Sequence, residues 1–241
     1  MSSNLQKVSI IIPCFNEENT IEKIVNKVLE ETLNFSYLNF EIIVINDAST
    51  DATQKILEKY ENKKFKFLIN KKNFGKGYSL KRGINEANGD IILFQDADLE
   101  YDPSDYKKLL KPILDGNADV VFGSRFIGSG EKRVLYFWHR IGNLFLTILS
   151  NMCSNLNLTD MEIGYKVFRS NIIKKILLQE NRFGIEPEIT AKIAKTKCRI
   201  YEVGVSYFGR TYQEGKKITW KDGLSAIRCI FYYNFFSDRV E

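Results

Sequence analysis

The stretch Ile91-Ile92-Leu93-Phe94-Gln95 reads as a strand and runs straight into Asp96-Ala97-Asp98, with Glu100 two places further on. Ending a buried strand in that much negative charge is unfavourable unless the charge is put to use. A cleft holding a divalent cation would use it. Mg2+ and Mn2+ take oxygen ligands and keep positions open for substrate phosphates. An Asp-x-Asp also occurs in ordinary acidic turns, so the choice rests on what other elements place beside it.

Those elements alternate in type. Val8 to Ile12 is an apolar strand ended by Pro13, and Ile21, Ile24, Val25 and Val28 form one stripe of a helix over 17–29. Phe40 to Ile45 is the next strand, followed by Asn46-Asp47-Ala48-Ser49-Thr50-Asp51, in which Ser49 or Thr50 can cap a helix over 52–60. A third strand over 65–69 leads through Asn73-Phe74-Gly75-Lys76-Gly77 into a helix over 78–87, and a fourth strand covers 90–95. Pro103 opens a helix reaching Leu114, with Asp102 as its cap, and 118–122 is a further strand. This pattern predicts βα units and a Rossmann-like, mostly parallel sheet flanked by helices, with ligands beyond the C-terminal strand ends. Polar clusters gather at four of those ends: Asn16 and Glu17, Asp47, Asn73 to Gly77, and Asp96 to Glu100. No linker or repeat interrupts the chain. We expect one domain over 1–241, with about 7–122 as the nucleotide-binding half and about 123–241 completing the site.

Composition narrows the functional classes. A formal charge of +5 is too modest to indicate nucleic-acid binding, but it suits an anionic substrate or a membrane surface. Cys14, Cys153, Cys198 and Cys229 are scattered and form no zinc-type or disulfide pattern. With no signal-like segment over 1–7, the expected setting is reducing and cytoplasmic. The apolar region Val134 to Leu149 is broken by His139, Arg140 and Asn143, which is too short and too polar for a bilayer span. Dinucleotide binding fails on spacing: Gly75-Lys76-Gly77 has Leu80, and Gly128-Ser129-Gly130 has Arg133, where the third glycine belongs. No phosphate-binding GK[ST] loop occurs either.

The ordered set Pro13-Cys14-Phe15-Asn16-Glu17-Glu18, Asn46 to Asp51, Asn73 to Gly77 and Asp96-Ala97-Asp98 resembles the family 2 glycosyltransferases of GT-A fold. Gly123-Ser124-Arg125-Phe126, Thr159-Asp160-Met161-Glu162 with Gly164 to Phe168, and Gly209-Arg210-Thr211-Tyr212 resemble its polyprenyl-phosphate branch, which makes dolichyl-phosphate hexoses. The resemblance implies an inverting transferase moving a hexose from a UDP- or GDP-sugar to a polyprenyl (dolichyl or undecaprenyl) phosphate. It implies that Pro13, Phe15, Glu17 and Asp47 line the nucleoside pocket, with Asn73, Gly75, Lys76 and Ala97 also on the donor. Asp96, Asp98 and Glu100 would hold Mg2+ or Mn2+. Arg125, Arg140, Arg210 and Lys216 would grip phosphates, and Asp98, Arg125, Arg210 and Asp160 would form the catalytic group.

The chemistry is coherent without the resemblance. A nucleoside diphosphate leaves readily once its charge is neutralised. An acceptor hydroxyl needs a base, whereas an acceptor phosphate is already ionised and needs cationic clamps such as the arginine fork. Arg125, Lys132, Arg133, Arg140, Arg210, Lys216 and Lys217 favour the phosphate, while Asp160 and Glu162 keep a hydroxyl acceptor open. His139, the only histidine, has no ligand partner at metal spacing and reads as a packing residue. Tyr136 to Leu149 and Trp220 to Phe236 combine aromatic, aliphatic and basic residues. Such segments suit a peripheral position at the cytosolic membrane face, packing on the sheet, or contact with a membrane-protein partner or second copy.

Overall fold

The strand β1 (Gln6–Cys14) buries seven consecutive residues, Val8 to Cys14, and lies at the centre of the fold. The structure, a computed structural model, describes residues 6–60, 65–128, 133–134, 136–211, 213–215 and 220–237. After β1 come α1 (Ile21–Thr32), β2 (Leu38–Asn46), α2 (Thr53–Glu58), β3 (Lys66–Ile69), α3 (Lys76–Glu86) and β4 (Ile91–Phe94). A 3-10 turn (Pro103–Asp105) leads into α4 (Tyr106–Leu114), β5 (Val120–Ser124), α5 (Phe137–Ser154), β6 (Lys166–Arg169), α6 (Ser170–Ile173), α7 (Ile185–Lys195) and β7 (Ile200–Gly204). Helix α8 (Trp220–Phe231) runs into a π-helical turn, Tyr232–Phe236.

The described strands form one seven-stranded sheet in the order β3-β2-β1-β4-β6-β5-β7. β1, β2, β3 and β4 are mutually parallel, as the βα alternation requires. β6 enters antiparallel between β4 and β5, and β7 pairs parallel with β5. The sequence reading did not assign β6 or β7. β6 has four residues, and β7 is nowhere fully buried, so neither carries a long apolar run.

Register positions the polar strand ends. Cys14 lies opposite Asn46, so Phe15 and Asp47 leave the sheet side by side. Ile11 lies opposite Phe94, which sets Asp96 to Asp98 level with Pro13 to Phe15. The helix starts differ from expectation. The first begins at Ile21, because the Glu17 carbonyl accepts from the Thr20 and Ile21 amides and the turn closes there. The expected Ser49 or Thr50 cap does not form: the N-cap position is Ala52, and Asp51 just before it accepts through Oδ1 from Thr53 N at 2.9 Å. Ser49 is already engaged, donating through Oγ to Asn46 Oδ1 at 2.6 Å. Asp102 does cap its turn, accepting from Ser104 N at 3.0 Å. Helices α5, α7 and α8 pack on one another beside the sheet.

Helix α3 lies so close to β1 that a Cβ at Gly83 would sit 2.4 Å from Ile11 Cγ2. Alanine is the better helix former, but the overlap with a rigid central strand outweighs that gain. Gly83→Ala should therefore lower unfolding free energy by about 1–2 kcal/mol in urea titrations, and an equal or raised midpoint would contradict this packing.

Candidate active site

A cavity of about 640 Å³ opens beyond the C-terminal strand ends. Pro13, Phe15, Glu17, Asp47, Asn73, Gly75, Lys76, Asp96, Ala97, Asp98, Glu100, Arg125 and Arg210 all line it, so the structure brings together most residues the sequence singled out. Arg140 does not line it. It is exposed on α5 and lies over the Phe126 ring at 5.8 Å, while His139, Gly142 and Asn143 of the same helix face the cavity. Lys216, with Lys132 and Lys217, lies outside the described residues. Arg133 pairs with Glu214 at 2.8 Å.

The acids fall into two groups with different charge balance. In the first, Lys76 Nζ lies 2.7 Å from Asp96 Oδ1 and 3.2 Å from Glu186 Oε1, and Glu186 also pairs with the fully buried Lys166. Two carboxylates face two ammonium groups, so this group is neutral. Lys76 is therefore a counterion to Asp96 and Glu186 at the cavity wall. In the second group, Arg210 lies 3.1 Å from Glu17, 3.0 Å from Asp98 and 3.6 Å from Glu100. Among the described residues, three carboxylates face this one guanidinium. Burial, then Asp96 and Glu100, push Asp98 up to about 7, against the pull of Arg210. Among the described residues no three acidic, histidine or cysteine side chains stand ready-assembled as a metal cage. The expected trio is divided, with Asp96 held by Lys76 and the other two facing Arg210.

Arg125 is held by Asp160, which is fully buried. Nε and Nη2 donate to its two carboxylate oxygens at 2.7 and 2.6 Å, and the Arg125 amide donates at 3.0 Å. Asp160 is thus not a base facing the cavity; it fixes the plane of Arg125, whose guanidinium carbon lies 5.3 Å from the Tyr207 ring centre. Tyr207 in turn donates to Glu100 Oε2 at 3.0 Å, linking Arg125 to the acidic group.

The loop into α3 closes on Asp47. Asn70 Nδ2 and Phe74 N donate to Asp47 Oδ1 at 2.7 and 3.1 Å, and Gly75 N donates to Oδ2 at 2.6 Å. Gly75 has φ +104, and a Cβ there would lie 2.5 Å from Asn181 O, so only glycine fits. The sequence reading missed Glu186, Tyr207 and Tyr101 as lining residues. Two acids, Glu186 and Glu188, in the first turn of the largely buried helix α7 were the available signal.

The fold is that of the GT-A glycosyltransferases. It is similar to glucosyl-3-phosphoglycerate synthase from Mycobacterium tuberculosis, solved with Mn2+, uridine diphosphate and phosphoglyceric acid (TM-score 0.74, 19% identity, 97% of this chain and 80% of that one). The glycosyl transferase family 2 profile matches residues 9–177, and the chain belongs to that family. It is 29% identical over 216 residues to a dolichyl-phosphate beta-glucosyltransferase of Trichomonas vaginalis, covering 83% of this chain and 65% of the relative. It is 28% identical over 220 residues to the dolichol-phosphate mannosyltransferase of Pyrococcus furiosus, covering 88% and 60%. This chain thus spans less than two thirds of the length of either relative.

A carboxylate raised in the folded state binds more protons there than in the unfolded chain, so its cost to stability grows as pH rises from its ordinary value of 3.8 towards 7. With a chelator present, Asp98→Asn should melt several degrees above the parent at about pH 8, and the gap should shrink towards about pH 5. An equal gap at both values would refute the crowding of charge at Asp98.

Proposed function

We propose that this chain transfers a hexose from a UDP-sugar to a polyprenyl phosphate at a membrane surface, with inversion at the anomeric carbon. The observation that carries the acceptor assignment is the double use of two helices. Trp138, Gly142 and Leu146 of α5 and Trp220, Gly223 and Ala226 of α8 line the cavity. The same helices expose Phe137, Phe145, Ile148, Leu224 and Phe231, with Phe235 and Phe236 continuing the ridge. An apolar ridge on the elements that wall a charged cavity suits a substrate with a lipid tail and an ionic head. No described helix is long and apolar enough to cross a membrane, so the contact would be peripheral. The names of the two relatives point to the same acceptor class.

Asp98 and Glu100 fit a hard divalent cation. Their oxygens are the right ligand type, and the crowding of Glu17, Asp98 and Glu100 around Arg210 is what such an ion would relieve. Bound there, Mg2+ or Mn2+ would neutralise the departing diphosphate. Arg210 sits beside the same acids to share that charge, and Arg125, held flat by Asp160, presents cationic surface to the acceptor phosphate. The ionised phosphate oxygen attacks without a base.

Asp47 favours uracil over guanine. Of its roughly four acceptor positions, two on Oδ1 and one on Oδ2 are taken. The remaining position matches the single imide N–H of uracil. Guanine offers two parallel N–H groups and would have to displace Asn70 or a backbone amide. UDP bound in the structural neighbour agrees with this reading. In thermal-shift titrations with Mn2+, UDP should bind at least about tenfold more tightly than GDP, the worth of one displaced charged hydrogen bond. Tighter GDP binding would overturn the base assignment.

The acceptor assignment has its own check. The product formed with vesicles containing polyprenyl phosphate should release its hexose in mild acid, as glycosyl phosphates do. An acid-stable glycoside would establish a hydroxyl acceptor instead.

A further inference from the structure

One carboxyl in the cavity has no work in this scheme. Glu162 lines the cavity, yet its Oε1 is inaccessible to water and has no hydrogen-bond partner among the described residues. A buried acceptor left unpaired costs about 1–3 kcal/mol, and in a well-packed fold it calls for an explanation. The loop around it is firmly held. Asp160 is locked to Arg125, Met161 N donates to Thr147 Oγ1 at 3.2 Å, and the carbonyls of Met161 and Ile163 accept from Lys166 Nζ. The side chains of Met161 and Ile163 are fully buried. A rigid loop therefore holds Glu162 at the cavity wall, and a turn about its own side-chain bonds would bring the unpaired oxygen to a donor in the cavity.

We propose that Glu162 accepts a hydrogen bond from a hydroxyl of the hexose being transferred and so takes part in choosing that sugar. The inference rests on the nucleotide-sugar reading above. The loop carrying Glu162 abuts the donor acids: a Cβ on Gly164 would come within 2.2 Å of Asp96 Oδ2. A hexose joined to a diphosphate held at Asp98 and Glu100 has to sit beside them. Phosphate groups would be repelled by a carboxylate, which leaves the hydroxyls of the ribose and of the hexose, and a comparison of UDP with UDP-hexose separates the two. Burial, with Glu186 adding to it, holds the Glu162 carboxyl up to about 7, which such a hydrogen bond would offset.

The test compares UDP alone with the UDP-hexose that binds best in a panel, both with Mn2+, by calorimetry on the parent, Glu162→Gln and Glu162→Ala. UDP affinity should stay within about twofold in all three, while Glu162→Ala weakens the UDP-hexose about 10- to 100-fold. Glu162→Gln, which keeps an acceptor oxygen, should lose less. Among monodeoxy donors, one should bind the parent about as weakly as the intact donor binds Glu162→Ala. Parallel loss of UDP and UDP-hexose would make Glu162 merely structural, and unchanged affinities would also overturn the proposal. Unchanged affinities with collapsed turnover would assign it as a base instead. If the parent binds no nucleotide at all, the donor reading itself fails, and that result is distinct from the others.

Discussion

Three carboxylates on one guanidinium are the constraint around which this cavity is organised. Glu17 leaves the end of β1, Asp98 and Glu100 leave the end of β4, and Arg210 reaches them from the segment beyond β7. Burial raises the cost of their mutual repulsion, because charges repel more strongly away from bulk water. The fold tolerates this only because the neighbouring acids are dealt with separately. Asp96 and Glu186 are matched by Lys76 and Lys166. One group is matched within the described residues, and the group two residues away crowds three carboxylates around Arg210.

The sheet explains how acids so distant in sequence converge. Parallel β1 and β4 end level with each other, so their trailing loops share one edge. β6 runs the other way and begins at that same edge, which brings the Asp160 to Gly164 loop in front of β4. An added parallel strand would have carried this loop to the opposite end. The antiparallel insertion thus supplies Arg125's partner, the Glu162 carboxyl and the glycine that lets the loop rest on Asp96.

Much of this was legible in the residues and some was not, for identifiable reasons. The first four strands announce themselves as apolar runs bounded by Pro13, Asp47, Asn70 and Asp96, and the structure places all four. The cavity residues at their ends follow from the rule that ligands sit beyond C-terminal strand ends. Pairing does not follow from any such rule. Lys76 stands in a glycine-flanked turn, and only tertiary structure shows it paired with Asp96. Asp160 reads equally well as a base or as a support until its two oxygens are seen on Arg125. Arg140 sits one residue from the cavity-facing His139, and a helix turns about 100° per residue, enough to carry it out to the surface.

The support given to Arg125 bears on which acceptor the site suits. A base must keep a basic lone pair directed at the proton it removes. Asp160 is fully buried, and Arg125 takes three of its roughly four acceptor positions. Fixing an arginine in this way has one clear physical benefit, which is to present a planar cation in a set orientation to an anion. The fully buried Asp160 is thus a structural commitment to binding negative charge on the acceptor side of the cavity. Together with an apolar ridge on the helices that wall the same opening, it agrees with the lipid-linked phosphate proposed as acceptor.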